Sequence, residues 1–130
     1  MKTVLLIDDD AEDREIFSDS LLSLQLGVRF EEAENGFEAL VKLNSAGFKK
    51  PDLIFVDLNM PVMDGKQFLI LIKQDKNLKD IPVIIYSTSS SLGDKAFALE
   101  HQAVLFMTKQ YSIIQLQKEL KQTINDFLNL

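Results

Sequence analysis

The sequence predicts an α/β domain, a doubly wound five-stranded parallel sheet with helices on both faces. Three observations carry this. Four short apolar runs, Val4 to Ile7, Leu53 to Val56, Val83 to Tyr86 and Val104 to Met107, are almost uninterrupted and rich in β-branched or aromatic residues, as strands covered on both faces are. Between them, apolar residues recur at three- and four-residue spacing, the period of a helix with one buried stripe. Strand and helix alternate five times, which favours parallel pairing and right-handed crossovers.

Taken in order, Val4 to Ile7 forms the first strand and Ile16, Phe17, Leu21 and Leu24 mark the helix after it. Val28-Arg29-Phe30-Glu31 alternates apolar with polar, so this second strand has one wet face and belongs at a sheet edge. Asn35 with Glu38 can cap the next helix, whose apolar positions are Phe37, Leu40 and Val41. Leu53 to Val56 is the third strand. Asp64 with Gln67 starts the helix bearing Phe68, Leu71 and Ile72. After Val83 to Tyr86, the helix of about residues 90 to 100 has the weakest pattern, because Ser89, Ser90, Ser91 and Gly93 favour caps and turns, and mobility is expected there. Val104 to Met107 closes the sheet. Ser112 with Gln115 opens a final helix carrying Ile113, Leu116, Leu120, Ile124 and Phe127.

A chain of 130 residues and 14.8 kDa suits one domain spanning residues 1–130, with no effector domain expected. Its formal charge of -6 opposes broad contact with a phosphate backbone, so no nucleic-acid partner is expected. The absence of cysteine excludes disulfides, thiolate metal sites and cysteine nucleophiles, and fits a reducing compartment. The apolar segment ending at Ile7 has neither the length of a leader's core nor that of a membrane span. A cytoplasmic protein with no membrane partner is expected.

Function in such a sheet gathers outside the carboxyl ends of the strands. There the first strand delivers Asp8 and Asp9, the third Asp57, the fourth Ser87, and the fifth Thr108 and Lys109. Carboxylates crowded at one edge repel, by roughly 4 kcal/mol for two charges about 4 Å apart at an effective dielectric near 20. A cation relieves this. Oxygen ligands with no His or Cys beside them favour Mg²⁺, with Mn²⁺ or Ca²⁺ as substitutes, and a metal with open positions takes phosphate oxygens. Asp57 as nucleophile, the acid pair for the metal, and Lys109 with Ser87 for the developing charge supply the parts of a phosphoryl transfer.

The loop Asp57-Leu58-Asn59-Met60-Pro61-Val62-Met63-Asp64-Gly65 reproduces the D-x-x-x-P-x-M-D-G pattern of response regulator receiver domains, and the chain resembles that CheY-like family over residues 2 to 128. Leu5-Leu6-Ile7-Asp8-Asp9 resembles its first-strand acid pair, Ser87 its hydroxyl and Lys109 its lysine. The resemblance implies a flavodoxin-like sheet of order 2-1-3-4-5. It also implies that Asp57 takes a phosphoryl group from a histidine kinase or histidine phosphotransfer protein. Asp9, Asp57 and the Asn59 carbonyl ligate Mg²⁺ in this likeness, Asp8 acting mainly through water, and an unknown target reads the face of helix 4, strand 5 and helix 5. By this likeness the protein is a signalling phosphoacceptor, not an enzyme, at most phosphorylating and slowly dephosphorylating itself. The chain departs from the family at Gln110, where a cis proline is usual, at Thr88, where a small residue is usual, and at Phe106, where Tyr is usual. A trans Lys109–Gln110 bond is expected, since cis without proline costs about 3 to 4 kcal/mol.

Other residues receive plainer readings. Asp10, Glu12 and Asp13 favour the first turn of the first helix and carry no assigned chemistry. Asp64 and Gly65 read as cap and close-packing residue, and His101 as a surface or helix-end residue. An aspartate-nucleophile phosphatase fits Asp8 and Asp10 but fails at Glu12 and leaves Asp57, Ser87 and Lys109 unused. A nucleotide-binding domain fails because no glycine-rich loop follows the first strand. A module that signals without phosphate keeps the fold but leaves the acid set without a role.

Overall fold

The computed structural model describes residues 1–109 and 112–130. The order is β1 (Thr3–Ile7), α1 (Ala11–Ser23), β2 (Arg29–Ala33), α2 (Gly36–Leu43), β3 (Leu53–Val56), α3 (Gly65–Gln74), β4 (Val83–Ser87), α4 (Leu92–Glu100), β5 (Leu105–Thr108) and α5 (Ile113–Leu128). All strand pairs are parallel and the sheet order is β2-β1-β3-β4-β5. The expected fold and edge position of β2 are present. The Lys109–Gln110 bond lies outside the described residues.

Because successive side chains of a strand point to opposite faces, the apolar runs feed two cores. Leu5, Ile7, Ile54, Val56 and Ile85 meet Ala39 and Leu43 of α2, Phe68, Leu69 and Ile72 of α3, and Ala98 of α4. On the other face, Val4, Leu6, Phe55, Ile84 and Tyr86 meet Phe17 and Leu21 of α1 and Leu116, Leu120 and Ile124 of α5. Phe17 is edge-on to both Phe55 and Tyr86, with ring centroids 5.0 and 5.5 Å apart. The asymmetric fields of aromatic rings favour such contacts.

Several burial expectations need correction. β5 is the second edge of the sheet, and Leu105 is exposed while Met107 is buried. Full cover on both faces therefore does not extend to this run. On α2, Phe37 and Val41 are 57% and 52% exposed, and the inward face is Gly36, Ala39 and Leu43. The cap fixes that phase: Asn35 Oδ1 accepts from the Glu38 amide at 2.8 Å, and the Gly36 amide donates to Met63 O at 3.2 Å. Ile16, Leu71 and Ile113 also face outward at the margins of their helices.

Ser91 caps α4, its Oγ accepting from the Asp94 amide at 3.1 Å, so the three serines lie before the helix and only Gly93 falls within it. Asp64 and Gln67 form the complete reciprocal cap of α3. His101 ends α4 with its ring 4.1 Å from that of Phe97. Among the described residues no helix is long and apolar enough to cross a membrane.

Candidate functional site

Register brings the candidate residues to one edge. Ile7 pairs with both Ala33 and Val56, so Asp8 and Asp57 leave adjacent strands side by side. Their amides continue the ladder, Asp8 N–H to Ala33 O at 3.0 Å and Asp57 N–H to Ile7 O at 2.9 Å. On the far side Ser87 pairs with Thr108, and the Lys109 amide donates to Ser87 O at 2.8 Å. Each side chain thus starts from a hydrogen-bonded strand end.

Asp8, Asp9 and Asp57 offer carboxylate oxygens that all lie within 4.8 Å of one another. Asp8 and Asp57 are buried and Asp9 is exposed, so the group opens to solvent on one side. These hard oxygen donors suit a divalent cation of the magnesium, manganese or calcium type. Asn59 is exposed two residues beyond Asp57 on the same loop. That loop packs closely against the start of α3: a Cβ on Gly65 meets the Asp57 carbonyl oxygen at 2.2 Å, and the Gly65 amide donates to Leu58 O at 3.0 Å. Only glycine fits there.

Lys109 offsets part of the negative charge at this edge. Its Nζ lies 2.7 Å from Asp8 Oδ2, 2.8 Å from Asp13 Oδ2 and 3.2 Å from Asp57 Oδ2. Burial opposes the lysine's charge, but the hydrogen bonds to Asp13 and Asp8 and the nearby negative charge of Asp57 outweigh it and hold the pKa above the ordinary lysine value. Burial acts on Asp8 in the other sense and raises its pKa, against the lowering effects of Lys109 and the Asp10 amide. Loss of water thus sets the direction for Asp8, whereas for Lys109 the surrounding carboxylates prevail over it.

The geometry brings together Asp8, Asp9, Asp57 and Lys109, with Ser87 at the neighbouring strand end. Ser87 is buried, and its Oγ accepts from the Ser89 amide at 3.3 Å. Phe106 is half-buried, with the Lys95 ammonium 5.9 Å from its ring centroid. The residue that sequence reasoning passed over is Asp13. Asp10 does cap α1, accepting from the Glu12 and Asp13 amides, but Asp13 turns its carboxylate into the site. The signal that could have found it is its place three residues after the Asp10 cap, in the first turn of a helix that starts at the acidic strand end.

Arg14 fixes that turn. Its Nη1 donates to the Asp8 carbonyl at 2.7 Å and its Nε pairs with Glu32 at 3.2 Å. The end of β1, the start of α1 and the edge strand β2 are thereby joined at the rim.

Comparison with known proteins yields a coherent set of likenesses. A family model described as the response regulator receiver domain matches residues 4–121. The sensor histidine kinase CheAY of Helicobacter pylori is 36% identical over 121 residues, which make up 93% of this chain and 15% of that protein. The response regulator Rcp1 of Synechocystis is 30% identical over 121 residues, 90% of this chain and 82% of Rcp1. Among solved structures, the phosphorylated cyanobacterial phytochrome response regulator RcpA superposes with a TM-score of 0.89 at 30% identity, covering 98% of this chain and 94% of that one. The Mn²⁺-bound form of Rcp1 superposes at 0.85 with 29% identity and the same coverage.

Proposed function

The chain belongs to the response regulator receiver domain family, and on that premise we propose that Asp57 accepts a phosphoryl group and switches the conformation of the domain. A histidine kinase or histidine phosphotransfer protein is the donor. In the transfer an Asp57 carboxylate oxygen forms the new bond to phosphorus while the bond from phosphorus to the donor's imidazole nitrogen breaks, and the imidazole keeps that electron pair. Lys109 and the Ser87 hydroxyl then donate to oxygens of the arriving group. Asp8, Asp9, Asp57 and the Asn59 carbonyl are the ligands of Mg²⁺, for which Mn²⁺ or Ca²⁺ can stand in. When bound, the cation offsets charge on the phosphoryl oxygens.

The observation that carries this reading is one lysine ammonium shared with Asp57 beside a trio of converging carboxylates. One base against three acids leaves negative charge uncompensated, which a divalent cation can offset. The output surface is the α4–β5–α5 face, and the setting is the cytoplasm. The test supplies a small acyl phosphate with Mg²⁺ and reads intact mass. One added phosphoryl group is expected on the wild type and none on Asp57→Asn; an unchanged wild-type mass removes the phosphoacceptor reading.

A further inference from the structure

We propose, resting on the phosphoacceptor reading above, that Asp13 is a positioning residue: it anchors the Lys109 ammonium on the α1 side of the pocket, so that the lysine can yield Asp8 and Asp57 to a divalent cation. An ammonium has three N–H donors. Here three carboxylates share them, at 2.7 Å for Asp8, 2.8 Å for Asp13 and 3.2 Å for Asp57. Asp13 differs from the other two in its place, for it stands outside the group whose oxygens converge within 4.8 Å. A cation drawn to that group contends with Lys109 for Asp8 and Asp57, and not for Asp13. An anchor outside the contested set lets the ammonium yield ground without leaving the pocket.

Asp13 is presented by a fixed element. Its amide donates to Asp10 Oδ1 at 3.2 Å, the adjacent Arg14 holds the Asp8 carbonyl, and Phe17, one turn on, is buried in the core. Beside the pair lies a cavity of about 200 Å³ bordered by Asp13, Tyr86, Thr88, Lys109 and Leu116. The lysine stem therefore has space to shift between partners without repacking the core.

Two double-mutant cycles test the role on the whole chain, using wild type, Asp13→Asn, Lys109→Met and the double variant. In Mn²⁺ titrations Asp13→Asn is expected to weaken binding about twofold to fivefold, the scale of a partly exposed ion pair, when Lys109 is present. With Lys109→Met in place, Asp13→Asn should change nothing. Equal weakening in both backgrounds makes Asp13 a direct charge on the metal and overturns the proposal, as does no weakening in either. In chelator, urea midpoints of the four proteins should show the two substitutions coupled, and additive changes overturn the anchor. A wild type that binds no Mn²⁺ is a different failure: it defeats the metal-dependent phosphoacceptor reading itself, and this role with it.

Discussion

Two helices begin beside the acidic edge, and they are held in opposite ways. α1 buries Phe17 and Leu21 among the aromatic rings of Phe55 and Tyr86, and Arg14 ties its first turn to the Asp8 carbonyl. α4 buries only Ala98 and exposes Leu92 and Leu99. Its start is held by polar contacts: Ser91 caps it, and Asp94 pairs with Lys66 at 2.8 Å and accepts from the Ser89 hydroxyl at 2.5 Å. Apolar burial is costly to undo, whereas partly exposed polar contacts are exchanged for water at small cost. The pocket thus has a fixed wall on the α1 side, and on the α4 side one that can be re-posed.

The largest break in this comparison comes from the cores. Phe17→Ala is expected to cost about 3 to 5 kcal/mol in chemical denaturation, whereas Leu99→Ala should stay within about 0.5 kcal/mol. Similar costs for both erase the distinction. Next comes the polar tie of α1: Arg14→Ala should cost about 1.5 to 3 kcal/mol, since it removes a charged donor from a part-buried carbonyl. A variant as stable as wild type shows that α1 is held by packing alone.

Smaller still is the α4 cap, where Ser91→Ala should cost about 1 kcal/mol. If α4 opens by itself, the loss appears as faster amide exchange in residues 92–100 with the global unfolding midpoint nearly unchanged. A full shift of that midpoint instead makes α4 part of one cooperative unit with α1.

The last test concerns pH at the fixed wall. Burial raises the Asp8 pKa in the folded state, so the stability linked to its proton is full below the ordinary carboxyl value of 3.8 and is lost as pH rises through the raised value. Asp8→Asn should remove that decline, so that in chelator the stability difference between variant and wild type grows over this window. A difference that does not change with pH shows that Asp8 is not the group responsible.

Most of the fold was legible, because each buried strand is a nearly unbroken apolar run and each such run ends in a polar residue at the site. That rule singled out Asp8, Asp9, Asp57, Ser87 and Lys109, which the fold gathers at one sheet edge. Asp13 was not, because acids in a first helical turn are favoured by the helix dipole whether or not they reach anything. Deciding otherwise needs the rotation of α1, which Arg14 and Phe17 fix through contacts distant in sequence. Phe37 and Val41 misled for a related reason: a short helix docked closely through Gly36 and Ala39 turns its larger apolar residues outward. The openness of β5 was hidden because an apolar run reads alike at the centre and the edge of a sheet.

The three-way pairing of Lys109 has a consequence for the order in which the domain is assembled. Its acids lie at positions 8, 13 and 57, and the lysine that pairs with all three carboxylates stands at 109. A chain emerging from the ribosome amino end first therefore brings out these three acids well before the lysine that pairs with them. Docking of β5 both completes the sheet and relieves part of the repulsion among these acids, so the early strands have an electrostatic reason to stay loosely joined until the last one arrives.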